Sequence, residues 1–168
     1  TGHVPASGEN SYELSQKILS DFLELDLADV AIDTADAPQL PVRPPVLCAG
    51  CPHRASFYAV KKAMEGKKSY FCGDIGCYTL GNAMPLDMCD TCLCMGAGVT
   101  MAQGFHWSDQ KMEGAAFAFI GDSTFFASGV TGVVNAVYNE ANIVVCILDN
   151  STTAMTGHQP HPGTGRNM

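Results

Sequence analysis

The sequence predicts an α/β fold built around a buried, mostly parallel sheet, and three observations support this. Two continuous apolar runs, residues 115–120 and 143–148, have the length and composition of strands buried on both faces. The segment between them places valines at helical spacing. From Val46 onward, short apolar runs alternate with glycine turns and helical stretches, which is the layout of alternating strands and helices.

The N-terminal part predicts a helix followed by a linker. Asn10 and Glu13 have the spacing of a capping box, and an apolar stripe typical of an amphipathic helix over about residues 11–25 follows them. Prolines then favour an extended connection, since proline cannot continue a helix; they are Pro38, Pro41, Pro44 and Pro45. We therefore expect residues 1–45 to form a helix and Pro-rich linker, and residues 46–168 to form the main domain.

The main domain is expected to begin with a helix after Pro52 and a short strand near residues 69–72. A further helix is predicted from about Gly98 to Phe105. Residues 115–148 then form one β-α-β unit, for which a right-handed crossover is expected.

Composition excludes several classes of protein. The chain has 9 Lys plus Arg against 17 Asp plus Glu, a net charge of −8, so nucleic acid is a poor partner. No apolar stretch of about 18 residues is present, and the first residues lack the basic-then-apolar layout of an export signal. We therefore expect no membrane span and a cytoplasmic location.

Polar residues follow both strands of the β-α-β unit, at the sheet edge where open parallel sheets bind ligands. They are Gly121-Asp122-Ser123-Thr124 and Asp149-Asn150-Ser151-Thr152. Glycine, serine and threonine suit a diphosphate, and neither loop contains Lys or Arg, so a divalent cation must neutralise such a ligand. Asp122 and Asn150 offer the oxygen ligands that Mg²⁺ prefers. The alternative is a structural turn at Asp122 and a helix cap at Asn150.

Eight cysteines are the unusual feature of the composition. Seven of them fall between Cys48 and Cys94, and the spacing includes Cys48-x-x-Cys51 and Cys89-x-x-Cys92. A disulfide framework is typical of small exported chains without a core, which this chain does not resemble. Metal binding, an iron–sulfur cluster and plain buried thiols all remain open.

The Gly-Asp and Asp-Asn pair resembles the thiamine-diphosphate fingerprint, with Ser123 in place of its second glycine and Asp149 in place of its first asparagine. Neighbouring blocks narrow the resemblance: LCAGCPHRASFYAVKKA, GDIGCYTLG, DTCLCMGAGVTMAQG, GDSTFFASGV and ILDNSTTAMTGHQPHPGTG. Over about residues 40–168 the chain resembles the thiamine-binding part of the 2-oxoacid:ferredoxin oxidoreductases, most closely the large (alpha) subunit of indolepyruvate ferredoxin oxidoreductase. The resemblance implies a three-layer thiamine-diphosphate-binding fold, truncated here at its C-terminus.

The resemblance also implies roles for individual residues. Mg²⁺ would be held by Asp122, Asn150 and the backbone carbonyl of Thr152. Met95 would be the bulky residue wedged beneath the cofactor, with the Leu93 carbonyl accepting from its amino group; ordinary core filling is the alternative for Met95. The positions expected beside the cofactor are Gly76, Cys77, Gly121, Ser123, Thr124, Gly157 and Gln159.

Three cysteines match the ligands of a [4Fe–4S] cluster in related enzymes: Cys48, Cys51 and Cys77. A cluster needs a fourth ligand, which in the family lies downstream of Met168. Zinc bound by Cys48, Cys51 and the Cys89/Cys92 pair is an alternative.

The implied activity is oxidative decarboxylation of a 2-oxoacid, such as indolepyruvate or another aryl pyruvate, to an acyl-CoA, with electrons passed to ferredoxin. The implied partners are CoA, the 2-oxoacid, ferredoxin and a pyrimidine-binding domain or subunit that supplies an activating glutamate, in an oligomer. This chain alone is expected to be inactive. A non-oxidative thiamine-dependent decarboxylase and a non-catalytic cysteine-rich metal-binding or interaction module are the alternatives.

Overall fold

The computed structural model describes residues 4–5, 7–8, 10–26, 35–109 and 113–165. The chain divides into two compact units, Thr1–Arg43 and Pro44–Met168, and each is described by itself. Among the described helices, none combines the length and apolar character needed to cross a bilayer.

The first unit contains helix α1, Tyr12–Leu23. Its N-cap is Ser11, whose Oγ accepts a hydrogen bond from the Leu14 backbone N–H at 3.2 Å. The predicted cap at Asn10 is therefore wrong by one residue. Residues 37–43 form neither helix nor strand, as expected for a segment rich in proline.

The second unit is built on a three-stranded parallel sheet in the order β1-β2-β3. The strands are β1, Ser69–Cys72; β2, Ala115–Gly121; and β3, Ile143–Leu148. β2 is central and buried, as predicted. The predicted burial of β3 on both faces is wrong, because β3 lies at the edge of the described sheet and leaves Val144 46% and Ile147 43% exposed.

Four described helices accompany the sheet: three lie at positions that the sequence predicts, and the short one that starts at Asp122 was not predicted. They are α2, Pro52–Ala63; α3, Ala97–Ser108; α4, Asp122–Thr124; and α5, Val130–Tyr138. A π-helical turn, Phe125–Gly129, joins α4 to α5, so the helical path starts directly at the end of β2. Two 3₁₀ turns, Cys77–Asn82 and Pro162–Thr164, complete the unit.

The core has two layers because side chains alternate along β2. Phe117 and Phe119 point into one hydrophobic cluster, where the Phe119 ring lies 4.7 Å from the Phe57 ring of α2. The small side chains of Ala116 and Ala118 face the other cluster, which α3 fills from the opposite side. The unit is therefore a three-layer α/β fold, which confirms the predicted fold class.

Replacement of Phe119 tests how much this core contributes to the free energy of unfolding. Phe119→Ala removes a fully buried ring and should lower the free energy of unfolding by about 3–5 kcal/mol in urea titrations. The control is Val137→Ala on the exposed side of α5, which should change it by less than about 0.5 kcal/mol. Equal losses in the two variants would contradict the assignment of the core.

Candidate functional site

A cavity of about 310 Å³ opens where the three strands end, which is the edge predicted to bind a ligand. Its volume lies at the lower end of the range for small-molecule sites, about 300–1,000 Å³. None of the described residues that line it is Lys or Arg. The lining residues on which the site depends are Gly76, Cys77, Tyr78, Met95, Gly121, Asp122, Ser123, Thr124, Asn150, Thr152 and Thr153.

Asp122 begins α4 directly after β2, and its carboxylate is buried. Oδ1 accepts a hydrogen bond from the Ser123 backbone N–H at 3.0 Å, and Oδ2 lies 2.9 Å from His161 Nε2. His161 Nδ1 accepts from the Gly163 N–H at 3.1 Å, so the neutral imidazole carries its proton on Nε2 and donates it to Asp122. Each carboxylate oxygen thus makes one bond and keeps a lone pair for a further ligand.

The sequence analysis missed His161, because its partner Asp122 lies 39 positions earlier and no local pattern connects the two. The imidazole stacks on the Phe126 ring at 6.3 Å between centroids and 26° between planes. Gly163 allows this packing, since a Cβ there would lie 2.4 Å from the Phe126 ring. His161 therefore orients Asp122 while its own position is fixed by the following 3₁₀ turn.

Asn150 and Thr152 bring further oxygen atoms to the cavity from the loop after β3. Asn150 Oδ1 accepts from the Thr152 backbone N–H at 3.3 Å. Thr153 Oγ1 donates to Ser123 Oγ at 2.7 Å, which ties this loop to the start of α4. The Ser151 backbone N–H holds the pKa of the Asp149 carboxyl below its ordinary value.

Gly157 and Gln159 are not among the described residues that line the cavity. They close the turn that carries Ala154–Thr156 to it: Gly157 has φ 116°, and Gln159 Oε1 accepts from Thr156 Oγ1 at 2.7 Å. The backbones of Thr153 and Gln159 pair across this turn. These two residues thus act on the cavity through the loop they shape.

Tyr78 is the second residue that the sequence analysis missed. Its buried hydroxyl donates to the Ile75 carbonyl at 2.8 Å and lies 2.8 Å from Thr124 Oγ1, from which it accepts. A Cβ at Gly121 would lie 2.3 Å from the Tyr78 ring, and one at Gly76 would lie 2.6 Å from it. Gly121 has φ −76°, which any residue can adopt, so the Tyr78 ring is what requires glycine there.

Met95 and Leu93 differ in their relation to the cavity. Met95 lines it and is 53% exposed. Leu93 is 71% exposed and is not among the described lining residues. The structure thus brings Met95 to the site and leaves the Leu93 side chain outside it.

All eight cysteines are free thiols. Burial raises the pKa of Cys77, and the Cys51 and Cys48 thiols act in the same direction. Across the part of the chain that the structure describes, no group of three or more His, Cys, Asp or Glu side chains is arranged to hold a metal ion. Arg54 holds the backbone at Cys48, because its Nε donates to the Cys48 carbonyl at 3.0 Å.

Comparison with known families identifies the fold at this cavity. The model of the thiamine pyrophosphate enzymes, C-terminal TPP binding domain, matches residues 74–168. The chain belongs to this family. The resemblance inferred from the Gly-Asp motif and its neighbouring blocks is thereby confirmed, and the cavity of this TPP-binding domain contains both halves of the motif.

Two curated relatives have high identity with this TPP-binding domain. The indolepyruvate oxidoreductase subunit IorA of Archaeoglobus fulgidus is 53% identical over 131 residues, which cover 77% of this chain and 20% of that protein. The subunit of the same name from Methanothermobacter marburgensis is 44% identical over 167 residues, which cover 96% of this chain and 26% of that protein. The chain thus spans a fifth to a quarter of the length of these relatives.

The contact between Gly121 and Tyr78 can be tested with matched glycine variants. Gly121→Ala should displace the Tyr78 ring, break its bond to Thr124 and lower the free energy of unfolding by about 1–3 kcal/mol. Gly104→Ala in α3 is the control: nothing lies within 4 Å of the added methyl group, and alanine should stabilise the helix by up to about 1 kcal/mol. A Gly121→Ala variant as stable as Gly104→Ala would contradict the contact.

Thiol reactivity tests the environments of the cysteines. Burial raises the pKa of Cys72 to about 11, whereas Cys48 and Cys94 are exposed. In the native chain at about pH 8, alkylation of Cys72 measured by mass spectrometry should be at least roughly a hundredfold slower than that of Cys48 and Cys94, because thiolate reacts and thiol does not. The rate should rise with pH towards the pKa of Cys72. In denaturant all three should react alike; equal rates in the native chain would contradict the burial.

Proposed function

We propose that the cavity binds the diphosphate end of thiamine diphosphate together with Mg²⁺. The observation that carries this proposal is the meeting of Asp122, Asn150 and Thr152 in one cavity of a TPP-binding domain. These residues offer a carboxylate, an amide oxygen and a backbone carbonyl, which are hard oxygen ligands of the kind Mg²⁺ selects. The lining residues carry no positive side chain to neutralise a diphosphate, so the donor set fits a bound cation.

The hydroxyls at the start of α4 have distinct roles in this proposal. Ser123 Oγ accepts from Thr153, so its own proton is available to a diphosphate oxygen. Thr124 Oγ1 donates to Tyr78, so it shapes the cavity wall and its proton is already used. Asp122 accepts from His161 and from the Ser123 N–H, which fixes its carboxylate in place, and it would be one of the residues that hold Mg²⁺.

Met95 is proposed as the wedge beneath the cofactor, and the Leu93 backbone carbonyl as the acceptor for its amino group. Support for Met95 comes from its place in the cavity lining and its partly exposed side chain. A flexible, polarisable thioether can adapt its shape to the bound molecule. Gly76, Cys77 and Gly121 would complete the wall beside it.

The whole protein is proposed to decarboxylate a 2-oxoacid oxidatively. When bound, thiamine diphosphate supplies the nucleophilic carbon and the electron sink for this chemistry. This chain's residues bind and orient it. Support for an oxidoreductase of indolepyruvate or another aryl pyruvate comes from the names of the relatives.

The remaining parts of the proposed reaction need partners beyond this domain. They are CoA as acyl acceptor, ferredoxin as electron acceptor and a pyrimidine-binding domain or subunit that supplies the activating glutamate, in a cytoplasmic oligomer. A [4Fe–4S] cluster on Cys48, Cys51 and Cys77 with a fourth ligand would pass the electrons on. Support for this assignment comes from the Cys48-x-x-Cys51 spacing and from the packing of Cys51 and Cys77 against the same hydrophobic cluster.

Removal of the proposed Mg²⁺ ligands tests the function. Titration calorimetry with thiamine diphosphate should show binding to the wild-type chain only when Mg²⁺ is present, and Asp122→Ala should abolish it. Asn150→Ala, which leaves the buried Asp122–His161 pair intact, should weaken binding at least about tenfold, as expected when one metal ligand of a small set is lost.

The control for both variants is Asp21→Ala, which removes an exposed carboxylate from α1. Its affinity for the cofactor should equal that of the wild type, and circular dichroism should show that all the variants are folded. Unchanged affinity in a folded Asp122→Ala variant would overturn the magnesium assignment.

A further inference from the structure

Asp74 is a buried carboxylate for which the proposed cofactor chemistry has no use. It follows β1, and its exposed fraction is 0%. Among the described residues, no Lys, Arg or His forms an ion pair with it. Both of its oxygens accept backbone hydrogen bonds instead: Oδ1 from the Ile75 N–H and Oδ2 from the Gly96 N–H, each at 2.7 Å.

The bond to Gly96 fixes the peptide unit that follows Met95. The N–H of that peptide donates to Asp74, and its carbonyl, that of Met95, lies 3.4 Å from Ser128 Oγ, which is equally close to the Thr124 carbonyl. Gly96 has φ 92°, and a Cβ there would lie 2.4 Å from Ser128 Oγ, so the close approach requires glycine. The Met95–Gly96 peptide is therefore held at its N–H by Asp74 and packs closely against Ser128.

Asp74 also fixes the opposite wall of the cavity through its main chain. Its carbonyl accepts from Thr79 Oγ1, and the same hydroxyl oxygen accepts from the Gly76 N–H at 3.0 Å. Gly76 and the adjacent Cys77 line the cavity. One residue thus connects the loop after β1 to the segment that carries Met95.

A carboxylate is suited to this connection. It accepts at both oxygens, whereas an amide side chain of the same size accepts at one end and would present an N–H group to the other backbone donor. Burial raises the pKa of Asp74, while the bonds from Gly96 and Ile75 act in the opposite direction and favour its charged form.

We propose that Asp74 is the positioning residue for Met95: its carboxylate holds the Met95–Gly96 peptide so that the Met95 side chain enters the cavity in one direction. This inference rests on the proposed function, because Met95 is the proposed wedge beneath thiamine diphosphate. It adds a residue that touches neither the cofactor nor the metal and that sets the shape of their cavity.

The test compares Asp74→Asn with Asp90→Asn in the full chain. Asp90 is the control because its Oδ2 also accepts a backbone N–H at 2.7 Å, from Phe71 and not from the Met95–Gly96 peptide. Methionine methyl groups are labelled with carbon-13, and the Met95 signal is assigned with Met95→Leu. Met88, which is fully buried, serves as the internal reference for folding.

In Asp74→Asn the Met95 methyl signal should move towards the position of a freely rotating methionine, while the Met88 signal stays in place. Hydrogen exchange of the Gly96 amide should accelerate at least about tenfold, as expected when a hydrogen bond to a charged group is lost. The affinity for thiamine diphosphate in the presence of Mg²⁺, measured by calorimetry, should also fall about tenfold. Asp90→Asn should change none of the three measurements.

Unchanged Met95 and Gly96 signals in a folded Asp74→Asn variant would overturn the inference. If Asp74→Asn loses the Met88 signal and so fails to fold, the wild-type chain decides: its Gly96 amide should be protected from hydrogen exchange at least about tenfold, and an unprotected Gly96 amide overturns the inference. The methyl and amide measurements need no cofactor. A wild-type chain that bound no thiamine diphosphate would therefore overturn the proposed function. The Met95 methyl signal and the Gly96 amide exchange would still show whether Asp74 positions Met95.

Discussion

Burial of strand β2 on both faces is the constraint from which the rest of the second unit follows. Its large residues, Phe117 and Phe119, fill one hydrophobic cluster, while Ala116 and Ala118 let α3 approach closely on the other side. Because the strand is packed in this way from end to end, the residue that follows it has little freedom. Asp122 follows β2 directly, without an intervening loop, and α4 begins at Asp122.

On one side the cavity is bounded by the end of this tightly packed strand, and on the other side it is formed by loops. The oxygen-bearing residues after β3 are tied to α4 by the bond between Thr153 and Ser123. His161 reaches back to Asp122 from the last 3₁₀ turn, and Asp74 connects two further segments through backbone bonds. The arrangement positions a site by a small number of buried polar bonds, each of which joins parts of the chain that are far apart in sequence.

That separation explains how much of the structure could be predicted. The strands and helices follow from apolar runs and periodicity, and the meeting of Asp122 with Asn150 follows from the rule that parallel strands end at one edge. The roles of Tyr78 and His161 could not be predicted from the sequence. Their hydrogen-bond partners, Thr124 and Asp122, lie 46 and 39 positions away, and no local sequence pattern connects residues so far apart. The exposure of β3 depends on which strand neighbours it, and its own residues carry no signal for that.

The packing of the Tyr78 ring between Gly76 and Gly121 has an evolutionary consequence. The ring occupies the space in which either glycine would carry a Cβ, and Gly76 is restricted to glycine by its φ of 155° as well. Only Gly121, whose φ of −76° suits any residue, can therefore gain a side chain, and only together with a smaller residue at position 78. Across homologous chains position 76 should stay glycine, and the glycine of the Gly-Asp motif should change only where the tyrosine is absent.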